Sequence, residues 1–412
     1  MNLVYISEYN PCESIGGAEI SSYTTANNLA KFIPIIYFTK PVDNILNHEH
    51  KIRFVTNSIL NFSPYYNLSN RFMNIKKKEL FKKCINNFKL DPENTIIHAQ
   101  DMRTSLLASY ALKNTDYKIV CTVRDYWPIC ISRDYLFSKG KMCEGCSLKN
   151  IYKCYSNKEF TFPEKLFISL TSIDNLIFRN KCIENLDAVA FVSKYISNIV
   201  SNKIKINNQA TIYNPIPSSY IKNQVNNSKN NNILYIGRLE KYKGIEILLK
   251  AFKIVNSTNK EYRLNIVGGG NLELYKNIAR NMGISKKVIF HGKQEFDKIN
   301  YFYDNSDIVV LPHLFPEPFG RTSAEAMARG KVVITGSSGG PSEFIEHGIN
   351  GFLVNTHSTN SPSEIANLAL DLINDDAKRI KVGKMARKYA ITNFHPDKIS
   401  KDYLKFYETI ID

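Results

Sequence analysis

The stretch EPFGRTSAEAMARG, Glu317 to Gly330, holds two glutamates with seven residues between them, the first just before a Pro-Phe-Gly turn and the second beyond it. The run DIVVLPH ahead of it, Asp307 to His313, reads as a buried parallel strand, and TSAEAMAR as a helix that starts right after the turn and stops at Gly330. A ligand at such a junction meets the free N–H groups of the first helical turn and the positive end of the helix dipole, which favour an anionic or hydroxyl-rich partner. Gly320 has no side chain, so that ligand can approach the backbone closely. Glu317 on the loop and Glu325 in the helix can then accept hydrogen bonds from hydroxyls of one bound molecule such as a sugar nucleotide. Thr322 followed three residues later by Glu325 also satisfies the capping-box pattern, and the two roles for Glu325 are compatible.

Positioning such a pair takes a parallel sheet, and the chain carries the pattern for two. Leu3 to Ile6 reads as a first strand, followed by the loop NPCESIGGAE and a helix from Ala18 to Lys31. Ile35 to Thr39, Thr95 to His98, Lys118 to Val123 and Ala188 to Val192 are further strands. Near Tyr213 the pattern gives way to NPIPSSYIKNQVNNSKNNN, two prolines and then an Asn-rich polar tract, which reads as a linker. The second unit begins with NILYIGRLEKYKGIEILLKAFKIV and continues through RLNIVGGG, KKVIFHG, DIVVLPH, KVVITG and FLV, again a doubly wound pattern. The expected layout is a Rossmann-like domain over 1–214 with a Cys-containing insertion at 130–155, a linker over 215–232, and a second Rossmann-like domain over 233–394. A C-terminal helix over 395–412 is expected to cross back to the first domain. The last helices are expected over Ser363 to Thr392 and Lys398 to Ile411, with His395 to Asp397 as the break. The turn Gly268 to Gly270 lacks the third glycine of the dinucleotide fingerprint, and no acidic residue ends the next strand, which disfavours a nicotinamide site.

At 412 residues, with 43% hydrophobic and 22% charged, the composition is that of a globular protein of two or three domains. The N-terminus alternates like a strand rather than opening with a basic region and an apolar stretch. No run reaches the roughly eighteen apolar residues of a membrane span, so the expected location is cytoplasmic. A formal net charge of +16 asks for anionic partners: nucleic acid, a membrane surface or small anions. The densest basic cluster, Arg71 to Leu90, allows an apolar stripe of Phe72, Ile75 and Phe81 flanked by Lys76, Lys77, Lys78, Lys82 and Lys83. That suits a helix lying on an anionic bilayer, and equally the solvated face of an ordinary surface helix. No nucleic-acid module accompanies the charge, so nucleic acid is not an expected partner.

Eight cysteines in a chain this long argue against a disulfide scaffold. Cys130, Cys143, Cys146 and Cys154 nevertheless fall close together in an irregular segment, with Cys143 and Cys146 forming a C-x-x-C pair. Four thiolates on one loop suit a structural tetrahedral zinc ion, and an iron–sulfur cluster less well; buried free thiols are the competing reading. Cys12, Cys84, Cys121 and Cys182 read as scattered core or surface residues.

Four local features, GGAE near the N-terminus, GRLEKYKG at the head of the second unit, IVGGG, and the Glu, seven residues, Glu motif, together resemble the retaining glycosyltransferases of the family 4 type, glycosyl transferases group 1. The resemblance covers nearly the whole chain. It implies the GT-B fold, two Rossmann-like domains facing each other across a cleft, and transfer of a hexose from a nucleoside diphosphate sugar to an acceptor hydroxyl with retention. It implies that Gly16 and Gly17 approach the donor's diphosphate, and that Arg238 and Lys243 clamp it and stabilise its developing charge in place of a divalent metal, so that no cofactor is required. It also implies that Glu317 binds hydroxyls of the transferred sugar and Glu325 those of the ribose. Phe319 and Gly320 would present amide N–H groups, and Gly268, Gly269 and Gly270 would admit the nucleotide. Taken singly, Gly237 and Gly244 also read as plain turn glycines and Lys241 and Lys243 as a solvated loop.

The segment CTVRDYWPIC departs from the family, which commonly has T-x-H-D where this chain has Arg124. Arginine cannot act as a neutral base, so Arg124 is assigned to a contact with the donor's sugar or phosphate, or with the carboxylate of a uronic acid. Pairing with Asp125 or Asp101 is the competing reading. His98 at the end of a strand reads as a structural residue. The acceptor is expected to be a lipid-linked or cell-surface glycan precursor, with peripheral contact to an anionic membrane. Two other functions fit the same residues: a catalytically inactive nucleotide-sugar binder, and a nucleotide-sugar epimerase.

Overall fold

In the computed structural model the described residues are 1–9, 16–41, 52–62, 70–133, 143–154, 161–221 and 229–411, with backbone alone at 70–73 and 162. Cys12, most of the first glycine loop, Phe72 and the middle of the Asn-rich tract lie outside what can be described of side chains. The chain divides into two compact units, residues 1–215 with 396–412, and residues 216–395.

In the first unit the strands are β1 (Asn2–Ile6), β2 (Ile35–Thr39), β3 (Ile52–Thr56), β4 (Thr95–Ala99), β5 (Lys118–Val123), β6 (Ala188–Phe191) and β7 (Gln209–Thr211). They form one parallel sheet in the order β3-β2-β1-β4-β5-β6-β7. The second unit has β8 (Asn232–Ile236), β9 (Arg263–Val267), β10 (Val288–Gly292), β11 (Ile308–Leu311), β12 (Val332–Gly336) and β13 (Phe352–Val354), parallel in the order β10-β9-β8-β11-β12-β13. The helices are α1 (Gly17–Leu29), α2 (Asn70–Asn86), α3 (Met102–Leu112), α4 (Leu148–Cys154), α5 (Phe162–Glu184), α6 (Lys194–Ser201), α7 (Ser218–Ile221), α8 (Ile245–Thr258), α9 (Leu272–Asn281), α10 (Phe296–Asp304), α11 (Arg321–Ala328), α12 (Pro341–Phe344), α13 (Ser361–Asn374), α14 (Asp376–Phe394) and α15 (Pro396–Ile411).

Crossover helices cover both faces of such sheets, which is why Leu3, Val4, Tyr5 and Ile6 are all buried, as are all four residues of β11. In each sheet the strand order reverses once, between β1 and β4 and between β8 and β11. The crevice beyond the carboxyl ends of strands at such a reversal is where open α/β sheets bind ligands. That edge carries Glu8, Gln100 and Arg124 in the first unit, and Arg238 and Glu317 in the second.

The edge strands β3 and β7 were not expected from sequence: β3 is half-buried with Arg53 exposed, β7 is three residues long, and neither shows a continuous apolar run. The segment 216–221, expected as linker, belongs to the second unit and forms α7. The single helix expected from Ser363 is two, because Asp375 leaves helical geometry and caps α14 by accepting the Lys378 N–H at 2.9 Å.

Helix α15 packs on the first unit against α1. Its Tyr403 and Tyr407 join a buried aromatic layer with Tyr5, Tyr37 and His98, and Asn28 donates to Asp397 and Ser400 at 3.0 Å each. His98 bonds Tyr407 Oη at 2.6 Å and Thr122 Oγ1 at 2.8 Å, so its role is to tie β4 to β5 and α15.

Candidate functional site

The second unit gathers the chemistry beyond β8 and β11. After β8, Gly237 and Arg238 lead into a 3-10 turn, Lys241–Lys243. After β11, Pro312 to Gly320 loops over to α11, and the Leu314 N–H donates to Tyr242 O at 2.8 Å, stitching the two loops together. Lys243 Nζ donates to Glu317 Oε2 at 2.8 Å, the two side chains being 18% and 23% exposed. The same ammonium lies 4.4 Å from the centre of the Phe315 ring. Burial pushes the Glu317 carboxyl up, but Lys243, His313 and Arg238 outweigh it and hold the group below the usual carboxylate value. Glu317 is therefore an anion at neutral pH, placed to accept hydrogen bonds. Arg238 is exposed, with its guanidinium 5.9 Å from the Tyr242 ring centre, and forms no ion pair among the described residues. A small cavity here is lined by Tyr235, Gly237, Lys243, His313, Glu317 and Thr322. Two roomier hollows of the first unit, beside Asn2 and Pro34 and beside Lys118 and Asp187, open at the amino ends of strands, away from this chemistry.

Glu325 is buried in α11, and both its oxygens are engaged: Oε1 by Arg321 Nε at 2.6 Å and Oε2 by the Tyr303 hydroxyl at 3.1 Å. The capping box suggested by Thr322 and Glu325 does not form, because the helix is capped by Gly320, without a side-chain bond. Gly320 is at φ 85, and a Cβ there would lie 2.4 Å from Pro341 Cγ, so glycine is required by the fold itself. Gly268 is likewise fixed internally, since its Cβ would strike Gly237 O at 1.8 Å; this glycine turn joins β9 to β8, with the Leu239 N–H donating to Gly269 O at 2.8 Å beside Gly270. Phe319 is buried against Phe344 and Phe394, which anchors the loop between the two glutamates. Sequence reasoning missed Tyr303, Arg321, His313 and Gly340, whose N–H holds Glu317 O at 2.7 Å. Only Arg321, four residues before Glu325, carries a local signal.

In the first unit, Gly16 caps α1 in ordinary extended geometry with no side-chain bond, and Gly17 opens the helix. Arg124 Nη1 donates to Gln100 O at 3.1 Å. Pairing of Arg124 with Asp125 or Asp101 is not found among the described residues. Asp125 faces Arg133 at 3.9 Å, and Asp101 accepts the N–H groups of Glu8 and Thr104 at 2.8 and 2.9 Å as the cap of α3. Glu8 pairs with Arg103 at 2.5 Å, yet burial and the neighbouring Asp101 raise its carboxyl to about 7.

Of the four clustered cysteines, Cys130 and Cys143 are buried, while Cys146 and Cys154 are half-buried. Cys143 Sγ accepts the Gly145 N–H at 3.4 Å. A hydrogen bond with Cys130, together with burial, pushes the Cys146 thiol well above its usual value. Among the described residues no group of three or more His, Cys, Asp or Glu side chains is arranged to hold a metal ion. In α2, Phe81 is buried in the core rather than on the expected stripe, and the exposed apolar residues among its described side chains are Ile75 and Leu80. No helix of the described residues is long and apolar enough to cross a membrane.

Residues 218–389 match the family model described as Glycosyl transferases group 1. An uncharacterized glycosyltransferase of Methanocaldococcus jannaschii is 33% identical over 44% of this chain and 45% of its own length, so the chain spans about half of that relative. Among solved structures, sucrose-phosphate synthase from Thermosynechococcus elongatus aligns with a TM-score of 0.76 at 18% identity, over 99% of this chain and 98% of that one. Anabaena HepE, solved with UDP and glucose, aligns with a TM-score of 0.71 at 18% identity, over 99% and 100%. Both likenesses concern the fold, the two Rossmann-like units of the GT-B class. Lys243, Glu317 and Glu325 all lie inside the stretch, residues 218–389, that is similar to the glycosyl transferases group 1 family.

Proposed function

We propose that this protein is a retaining glycosyltransferase that moves a hexose from a nucleoside diphosphate sugar to an acceptor hydroxyl. The observation that carries the reading is the Lys243–Glu317 contact, with Arg238 beside it, at the carboxyl ends of β8 and β11. In this reading the bond between the anomeric carbon and the diphosphate oxygen breaks as the acceptor oxygen attacks from the same face, and the leaving phosphate takes the acceptor proton. Arg238 and Lys243 stabilise the charge that grows on the diphosphate, which lowers the barrier more than any proton transfer by the protein. Glu317 orients the sugar hydroxyls. Glu325, fixed by Arg321 and Tyr303, presents its remaining lone pairs to the ribose. A panel of nucleotide sugars, each with and without glycan or lipid-linked acceptors, tests this reading. Transfer with a retained anomeric configuration by NMR is expected. Binding without turnover would favour an inactive nucleotide-sugar binder, and isomerised donor without acceptor an epimerase.

A peripheral membrane role in cell-surface glycan synthesis is the finer reading, and the exposed side chains of α5 favour it. Leu166, Leu170 and Ile177 fall within an arc of about 40° on its outer face, at 3.6 residues per turn, with Phe167 beside them at 68% exposure. Helix α2, which packs against α5, adds Ile75 and Leu80 with exposed Lys76 and Lys83. The wild type is expected to sediment with vesicles containing anionic lipid, and Phe167→Asp with Leu170→Asp to release it. Equal sedimentation of that double variant would end this reading.

A further inference from the structure

The face of the first sheet that carries His98 also carries polar atoms that the fold leaves unused. Alternation along the strands sets Tyr5 of β1, Tyr37 and Thr39 of β2, His98 and Gln100 at the end of β4, and Thr122 and Arg124 at the end of β5 on one face. The ring contacts of Tyr5 with Tyr37 and His98, at 5.6 and 5.1 Å, and the His98–Thr122 bond fix that face. Strands β2, β1, β4 and β5 are consecutive in the sheet. On them Thr39 Oγ1, both side-chain amide atoms of Gln100 and Nε of Arg124 are buried without a hydrogen-bond partner. Gln100 itself is only 4% exposed. A buried polar atom that nothing satisfies is costly, and native chains leave few of them.

The Gln100 amide NH2 and the Arg124 guanidinium N–H donate, the Thr39 hydroxyl can donate as well as accept, and the Gln100 amide oxygen can only accept. The Arg124 charge has no carboxylate partner among the described residues: Asp125, Asp101 and Glu8 are held by Arg133, by backbone amides and by Arg103. That charge is felt along the face, where it adds to the burial that holds His98 well below the usual imidazole value and counters the burial that raises Tyr5 and Tyr403. A half-buried cation ringed by donors is complementary to an oxyanion. In the sugar-transfer reading, on which this inference rests, the donor's diphosphate already has Arg238 and Lys243, so the group received here is a further one.

We infer that Gln100 and Arg124 form an anion subsite that receives a carboxylate or phosphate carried by one of the two sugar substrates. A neutral histidine at the position of Arg124 would suit a hydroxyl; the fixed charge of arginine suits an anion. The two sources are separated by measuring kcat/KM of wild type, Arg124→Gln, Arg124→His and Gln100→Leu in three arms: a neutral UDP-hexose with a neutral acceptor, a UDP-uronate with a neutral acceptor, and a neutral UDP-hexose with a phosphorylated acceptor. The wild type is expected to prefer one anionic arm. Arg124→Gln is expected to lose at least tenfold more in that arm than in the neutral one, mainly through KM, and Gln100→Leu to lose less but in the same arm. Equal losses in all arms, or a wild type fastest in the neutral arm, overturn the subsite. Absence of binding or turnover by the wild type in every arm, repeated with GDP-, ADP- and dTDP-sugars in place of the UDP-sugars, would instead overturn the glycosyltransferase reading beneath it. Thermal unfolding of each variant, compared with wild type, separates a folding defect from either outcome.

Discussion

Replacing Glu317 by Gln and Lys243 by Met should have opposite effects on nucleotide binding, although the two side chains share one contact. Lys243 Nζ sits 2.8 Å from Glu317 Oε2, and the side chains are 18% and 23% exposed. A charge-assisted hydrogen bond is worth about 1.5–3 kcal/mol when well buried, and the partial exposure here argues for the lower end. If Lys243 turns the same ammonium to the diphosphate, Lys243→Met removes one such contact from the complex. At about 1.4 kcal/mol per tenfold, binding of the donor's nucleoside diphosphate should weaken by roughly tenfold. Glu317→Gln removes an anion that competes for that ammonium, so nucleoside diphosphate binding should stay within about threefold of wild type or tighten, while turnover falls by about 100-fold as the sugar loses its charged acceptor. Titration calorimetry with the nucleoside diphosphate of the matched donor and initial rates with that donor read the two effects separately. A Glu317→Gln variant that binds this nucleoside diphosphate ten times more weakly would refute the assignment of Glu317 to the sugar rather than the nucleotide.

Other outcomes follow from single contacts. Glu325→Ala removes the carboxylate that accepts from Arg321 and from buried Tyr303, so it should lower stability by about 1–3 kcal/mol and weaken nucleoside diphosphate binding as well; unchanged binding in calorimetry would remove the ribose role. Gly320→Ala forces a side chain into left-handed backbone against Pro341 and should cost about 1–3 kcal/mol in denaturant unfolding. Because the folded-state value of Glu8 is raised to about 7, the folded chain binds a proton that the unfolded one has lost, and this residue's contribution to stability falls as pH rises from the ordinary carboxyl value of 4.5 to about 7. Glu8→Gln should flatten that part of the curve of melting temperature against pH, and an unchanged slope would contradict it. A structural zinc ion on Cys130, Cys143, Cys146 and Cys154, which the described side chains are not arranged to hold as they stand, is a proposal that elemental analysis tests: about one zinc per chain, lost in Cys143→Ser, would support it, whereas metal-free, stable wild-type protein would leave these residues as hydrogen-bonded thiols.

The sequence by itself determined what is periodic or locally encoded. Strands such as Ile308–Leu311 are continuous apolar runs because a parallel sheet buries both faces, and the helix after Gly320 begins where glycine permits a left-handed cap. The glutamate spacing and the basic loop at Lys241 to Lys243 were legible for the same reason, each lying within one short segment. What the tertiary structure decided is which groups meet. Lys243 and Glu317 lie on different crossovers, and only the adjacency of β8 and β11 brings them to 2.8 Å. Tyr303 reaches Glu325 from α10, while Gln100 and Arg124 share an edge because β4 pairs with β5. Edge strands such as β3 escaped detection because their pairing depends on a neighbour far along the chain and not on an apolar run of their own. Hydrogen bonding and charge act through space, and parallel pairing brings together residues that sequence distance keeps apart.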